Sequence, residues 1–150
     1  MTEHRWLDDR EQRAWRGYLA MSARLSARMN RDLQNESGLS LTDYDVLVQL
    51  TDRPSGCARV LELAESLQWE KSRLSHHIAR MTKRGLVDRR EVEGDARGTL
   101  IALTGKGRRA IEEAAPAHVA AIRDLIFDHL TEDQVKTLHA ITDTVLARLD

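Results

Sequence analysis

The stretch from Val60 to Thr104, VLELAESLQWEKSRLSHHIARMTKRGLVDRREVEGDARGTLIALT, constrains this chain more than any other part of it. It reads as two short helices joined by a tight turn and followed by a hairpin. When Lys71 to Arg84 is wound as a helix, Leu74, Ile78 and Met81 fall at i, i+4 and i+7 on one narrow apolar stripe. The opposite side collects Ser72, Arg73, His76, Arg80 and Lys83, with Ser75 and His77 on its flanks and only Ala79 as a small apolar member. Such side chains can hydrogen-bond to base edges and to phosphates. A solvated helix face is the plain alternative, and the upstream residues argue against it. Val60, Leu61, Ala64 and Leu67 make a second helical stripe, and Gln68, Trp69 and Glu70 leave room only for a tight turn. Two short helices joined by about three residues have helix-turn-helix spacing, in which the second helix lies in the major groove of DNA. Trp69 then reads as a plug fixing the angle between the helices rather than as a ring touching sugar and phosphate.

Gly85 sits where a helix C-cap glycine belongs, and two strand-like runs follow, Leu86 to Val92 and Thr99 to Leu103. The intervening Glu93 to Gly98 supplies glycine and aspartate for a turn, so a hairpin is expected. Arg97 at its tip is the kind of side chain that enters a narrow minor groove, with Asp95 placed to brace it. Arg89 and Arg90, on the first strand, are candidate phosphate contacts.

The order and spacing of these pieces resemble the winged helix-turn-helix of the MarR (multiple antibiotic resistance) family of bacterial transcriptional regulators. The matching residues are Leu63-Ala64-x-x-Leu67, the helix KSRLSHHIARM, Gly85-Leu86-Val87 with Arg89-Arg90, Asp95-x-Arg97, and Leu103-Thr104-x-Lys106-Gly107. The resemblance implies a mainly α fold with a small β-hairpin wing, and long N- and C-terminal helices forming a dimerisation bundle. It also implies a small, often aromatic or anionic effector between the dimer helices and the DNA-binding lobe, where Trp15, Tyr18, Met21, Tyr44 and Leu47 are the candidate contacts. The same five residues can equally be the apolar junction of two lobes.

Charge supports a nucleic-acid partner despite a formal net charge of −1. From Leu67 to Ala110 there are eleven Lys and Arg against five Asp and Glu, whereas from Ile111 to Asp150 there are three against eight. A basic module between neutral and acidic flanks confines attraction for DNA to one face.

The flanks read as helices. From Leu7 to about Asn35, Trp15, Tyr18 or Leu19, Ser22, Leu25, Met29 and Leu33 repeat at three-to-four spacing, with Asp8 and Asp9 at the start. Trp6 and Leu7 lie at the extreme end, where cover within one chain is scarce, which favours contact with a second copy. After a turn over Glu36 to Leu41, Thr42 to Thr51 is a short helix with Thr42 and Asp45 as a capping-box-like start. Thr104 caps a helix running toward Leu130, which Pro116 is expected to kink or break near Ala115. Thr131-x-x-Gln134 is a capping box opening a last helix with Val135, Leu138, Ile141, Val145 and Leu149 on its stripe. Trp6, Leu7, Ile126, Leu130, Leu138, Ile141 and Val145 are the candidate dimer contacts.

A length of 150 residues fits one domain, with a DNA-binding lobe over 41–104 and helical dimerisation segments over 5–36 and 105–150. No apolar run spans a membrane and Met1 to Asp9 lacks the core of a secretory signal, so the expected location is cytoplasmic. No nucleophile elbow, Walker loop or dinucleotide fingerprint is present, and none of the six histidines has His-x-x-x-His spacing. An enzyme, a cofactor and a resident metal are therefore not expected. The single Cys57, between Arg53 and Arg59 in the loop before the third helix, raises a redox-sensing alternative, though a plain loop thiol is the preferred reading. The expected function is a homodimeric, sequence-specific DNA-binding regulator, a repressor of a palindromic operator relieved by a small molecule. The alternative from another class is a winged-helix adaptor that reads a protein partner.

Overall fold

The computed structural model describes residues 4–92, 94 and 98–150. The chain forms two compact units, one ending at Ala114 and the other covering Ala115–Asp150.

The first unit opens with α1 (Asp9–Ser37), 29 residues long. Asp8 caps it through a reciprocal capping box with Glu11, and Gly38 ends it in the left-handed conformation at φ 71°. Then comes α2 (Leu41–Thr51), whose cap is Ser40 with Asp43 as its reciprocal partner. The expected Thr42/Asp45 start is thus displaced by two residues, and Ser40 belongs to the helix cap rather than to a turn. The reason is burial. With Ser40 as cap, Asp43, Tyr44, Val46, Leu47 and Leu50 point inward.

A short strand, β1 (Cys57–Arg59), precedes α3 (Val60–Leu67). Cys57 therefore lies in a strand, half-buried, and not in a loop. Gln68 ends α3 in the left-handed region at φ 55°, the one non-glycine there among the described residues. Its conformation is held by the Trp69 N–H donating to the Ala64 carbonyl at 2.9 Å. Next is α4 (Lys71–Lys83), followed by β2 (Val87–Glu91) and β3 (Thr99–Leu103). The hairpin is as expected, but β1 adds to it, so that the sheet has three antiparallel strands in the order β1-β3-β2. Register pairs Ala58 with Ile101, and Ile101 with Arg89. A three-residue strand with one buried side chain carries too little alternation to be read from sequence.

The core lies where α2, α3, α4 and the sheet meet. Leu47, Leu50, Leu63, Leu74, Ile78, Met81, Val87 and Ile101 are all fully buried in it. Leu63, not Leu61, supplies the inward side of α3; Leu61 is 54% exposed. Of the expected kink or break near Ala115, the break is absent: α5 (Gly105–Leu125) continues through Pro116 and ends at Leu125 before a 3-10 turn at Phe127–His129. In the first unit Gly107, Ile111 and Ala114 are its buried positions.

In the second unit, Thr131 and Gln134 cap α6 (Glu132–Leu146) with the expected capping box. No residue of α6 is buried, and Ile141, Val145, Leu146 and Leu149 are exposed.

Candidate nucleic-acid interface

The second helix of the helix-turn-helix, α4, shows why its sequence alternates as it does. Leu74, Ile78 and Met81 are sealed in the core. Lys71, Ser72, Arg73, His76, Arg80 and Lys83 are exposed, and Ser75 is half-buried. The first turn contains no acid, and the N-cap Glu70 makes no side-chain cap hydrogen bond. The amides at this end therefore point outward unpaired by a cap, beside Lys71 and Arg73, a combination that attracts anions.

Arg89 and Arg90 are exposed on β2. A concavity of about 430 Å³ opens between the start of α4 and the hairpin, lined by Val60, Leu61, Lys71, Ser75, Arg89, Gly98 and Thr99. Two cations, two hydroxyls and an apolar floor suit a sugar-phosphate backbone. Arg97 and Asp95 at the hairpin tip lie outside the described residues.

His77 is placed differently from the expected groove-facing position. It is buried, with Nε2 2.8 Å from Oδ1 of Asp43, a close approach that is not at hydrogen-bond geometry. The residue lies one position past His76, on the flank that the packing of α4 against α2 closes over. Arg84, the C-cap of α4, donates to the other Asp43 oxygen at 2.6 Å and to the Gly38 carbonyl at 2.7 Å. Burial pushes the Asp43 carboxyl up, but His77, the Ser40 backbone N–H and Arg84 more than offset it and hold the group well below the ordinary carboxylate range. Asp43 and Arg84 were not singled out in the sequence. The Ser40-x-x-Asp43 capping pattern marks the first, while nothing local marks its pairing with an arginine 41 positions on.

Trp69 is half-buried against the core, in edge contact with His77 at 5.9 Å between ring centroids, as the plug reading requires. Its other surface is in use too, because the Arg73 guanidinium lies 4.0 Å from the ring centroid.

The residues expected to meet an effector separate into two environments. Tyr44 and Leu47 are core residues at 8% and 0% exposure, while Trp15, Tyr18 and Met21 stand about half-exposed on α1. Trp15 and Tyr18 stack on each other at 5.7 Å. None of the five lines the concavity beside α4. Of the expected dimer contacts, Trp6, Leu7, Ile141 and Val145 are exposed, and Ile126, Leu130 and Leu138 half-buried. Among the described residues no group of three or more His, Cys, Asp or Glu is arranged to hold a metal, and no helix is long and apolar enough to cross a membrane.

Known proteins share this architecture. The MarR family profile matches residues 37–98. Sco3205, a MarR family transcriptional regulator from Streptomyces coelicolor whose structure was determined in complex with DNA, is 37% identical, with a TM-score of 0.94 over 100% of this chain and 94% of its own. AbsC, a MarR family regulator from the same organism, is 36% identical with a TM-score of 0.91, over 97% of this chain and 98% of its own. The transcriptional repressor MprA of Escherichia coli K12 is 26% identical over 130 residues, spanning 87% of this chain and 73% of MprA. Likeness at this level over the whole length, carried on the same winged helix-turn-helix, means that this chain belongs to the MarR family of transcriptional regulators.

Proposed function

We propose that this chain is a homodimeric, sequence-specific DNA-binding protein that represses transcription from a near-palindromic operator. The observation that carries the reading is the division of α4, with Leu74, Ile78 and Met81 locked into the core and Ser72, Arg73, His76, Arg80 and Lys83 exposed, while Arg89 lines the concavity at the start of the same helix. The buried stripe fixes the rotation of the helix, so the polar face is presented as a rigid reading surface. Arg73, His76 and Arg80 address base edges, while Lys71, Lys83, Arg89 and Arg90 hold phosphates. The determination of Sco3205 with DNA supports this assignment, and the description of MprA as a repressor supports the sign of regulation.

Residues 41–104 act as the DNA-binding lobe, and residues 5–36 and 105–150 supply the dimer contacts. Exposed Trp6, Leu7, Ile141 and Val145 are the apolar side chains with most to gain from a partner. Two-fold symmetry sets the half-sites about one helical turn, roughly 34–36 Å, apart. A small aromatic or anionic effector relieves repression, and the half-exposed Trp15, Tyr18 and Met21 are its contacts on α1.

The test is selection of duplexes from a random pool, followed by titration of the selected duplex and a scrambled one. Arg73→Ala should reduce the ratio of the two affinities by about fivefold or more, the worth of one base contact. A wild-type chain that enriches no sequence refutes the reading. An Arg73→Ala variant with the wild-type ratio removes Arg73 from base recognition.

A further inference from the structure

The least expected group near the reading face is one that does not reach it. Asp43 is 2% exposed, yet it stands beside His77 and Arg84 as a charged carboxylate. The Arg84 contact ties α2 to the end of α4, which is ordinary scaffolding. The His77 contact leads elsewhere. While Nε2 faces Asp43, Nδ1 lies 3.2 Å from Nη2 of Arg80. Arginine can only donate, so Nδ1 must offer its lone pair, and the ring proton then sits on Nε2, the nitrogen 2.8 Å from the Asp43 oxygen. One buried acid is thus linked through a single ring to the exposed Arg80.

We propose that Asp43, acting through His77, is the positioning residue that orients Arg80, so that base preference is set partly from inside the core. The inference rests on the DNA-reading function proposed above. An exposed arginine samples many rotamers, and a bidentate base contact accepts few of them. Holding one N–H of Arg80 beforehand lowers the ordering cost of the specific complex. A complex with random DNA, made by phosphate contacts that tolerate many orientations, gains little from it.

Two substitutions separate this role from simple packing. His77→Gln keeps an amide able to reach Asp43 but has no acceptor where Nδ1 stood. His77→Asn keeps an oxygen near the Nδ1 position but falls short of Asp43. Binding is followed by fluorescence anisotropy on a duplex selected by the wild-type chain from a random pool, and on a scrambled duplex of the same composition. His77→Gln should lower the affinity ratio about tenfold, through the selected duplex alone, with the scrambled one changed less than about twofold. His77→Asn should keep most of the ratio even if it melts at a lower temperature. Arg80→Gln should lose at least as much as His77→Gln, and adding His77→Gln to it should lose nothing more. Should His77→Gln not fold, Asp43→Asn, which takes away the charge facing Nε2, should show the same fall.

A preserved ratio in His77→Gln or Asp43→Asn overturns the proposal, as does parallel weakening on both duplexes in step with melting temperature. A wild-type chain that selects no sequence fails the DNA-reading function itself. One that selects a sequence while the variants keep its ratio fails the positioning role alone.

Discussion

Gly107→Ala should be among the most damaging single-methyl additions to this protein, although an Ala in a helix is normally an improvement. Gly107 lies in the first turn of α5, where a Cβ would overlap the Leu86 carbonyl and come within 3.0 Å of Leu103 Cδ1. The obstacle is main chain, so it cannot rotate away. Relief requires a shift of about an ångström to restore an ordinary C···O separation of roughly 3.3 Å. The Leu86 carbonyl is also anchored, because the Thr104 N–H donates to it at 3.3 Å and the Thr104 hydroxyl lies 3.0 Å away. Over-packing costs about 1–3 kcal/mol, and a weakened hydrogen bond adds about 1 kcal/mol. The helix-propensity gain returns about 1 kcal/mol. The net is a loss of about 1–3 kcal/mol, or roughly 2–12 °C in Tm for a chain of this size. Gly17→Ala is the internal control: it sits within α1 with nothing within 4 Å of the added methyl, and should gain up to about 1 kcal/mol. Urea unfolding at matched protein concentration, followed by circular dichroism, reads both. A Gly107→Ala midpoint equal to or above that of Gly17→Ala would refute the close-approach argument.

Arg89→Ala should weaken binding to selected and scrambled duplexes alike and flatten the dependence of log K on log salt by about one unit, checked by anisotropy across a salt series. A loss confined to the selected duplex would move Arg89 into base reading. Asp43 is held below its unfolded value, so its stabilisation is complete above about pH 4 and is lost as pH falls below that. Asp45, exposed on α2, is shifted the other way by partial desolvation, a smaller effect of opposite sign. Asp43→Asn should therefore be less stable than wild type at pH 7 and lose less on going to about pH 3.5; equal losses in urea midpoint would contradict the assignment. If the proposed homodimer uses α6, Ile141→Asp with Val145→Asp should shift it to monomer in sedimentation velocity, because both sites are more than half exposed in the single chain and tolerate charge there. An unchanged sedimentation coefficient would place the dimer contacts elsewhere.

Much of the site is written in local patterns, because a helix that must bury one side repeats its apolar residues every three or four positions. Leu74, Ile78 and Met81 announce the inward face of α4 and, by exclusion, the outward one; the Thr131 and Gln134 capping box marks the start of α6 in the same way. The motif Leu103-Thr104-x-Lys106-Gly107 is readable as a signature, but its reasons are tertiary. Thr104 holds the Gly85 carbonyl at 2.6 Å, Lys106 the Arg84 carbonyl at 2.8 Å, and Gly107 leaves room for Leu86.

Other features depend on which segments the fold brings together. The outward turn of Leu61, the addition of β1 to the hairpin and the partnership of Asp43 with His77 and Arg84 all follow from how α2, α3, α4 and the sheet close on one another. Periodicity says that a side of a helix is apolar, because neighbours along one chain share that constraint. It cannot say whether a residue on the flank, such as His77, will be covered by a distant segment or left in solvent. His76 stays in solvent and His77 goes inward to a carboxylate 34 positions earlier, a choice made by packing between distant segments.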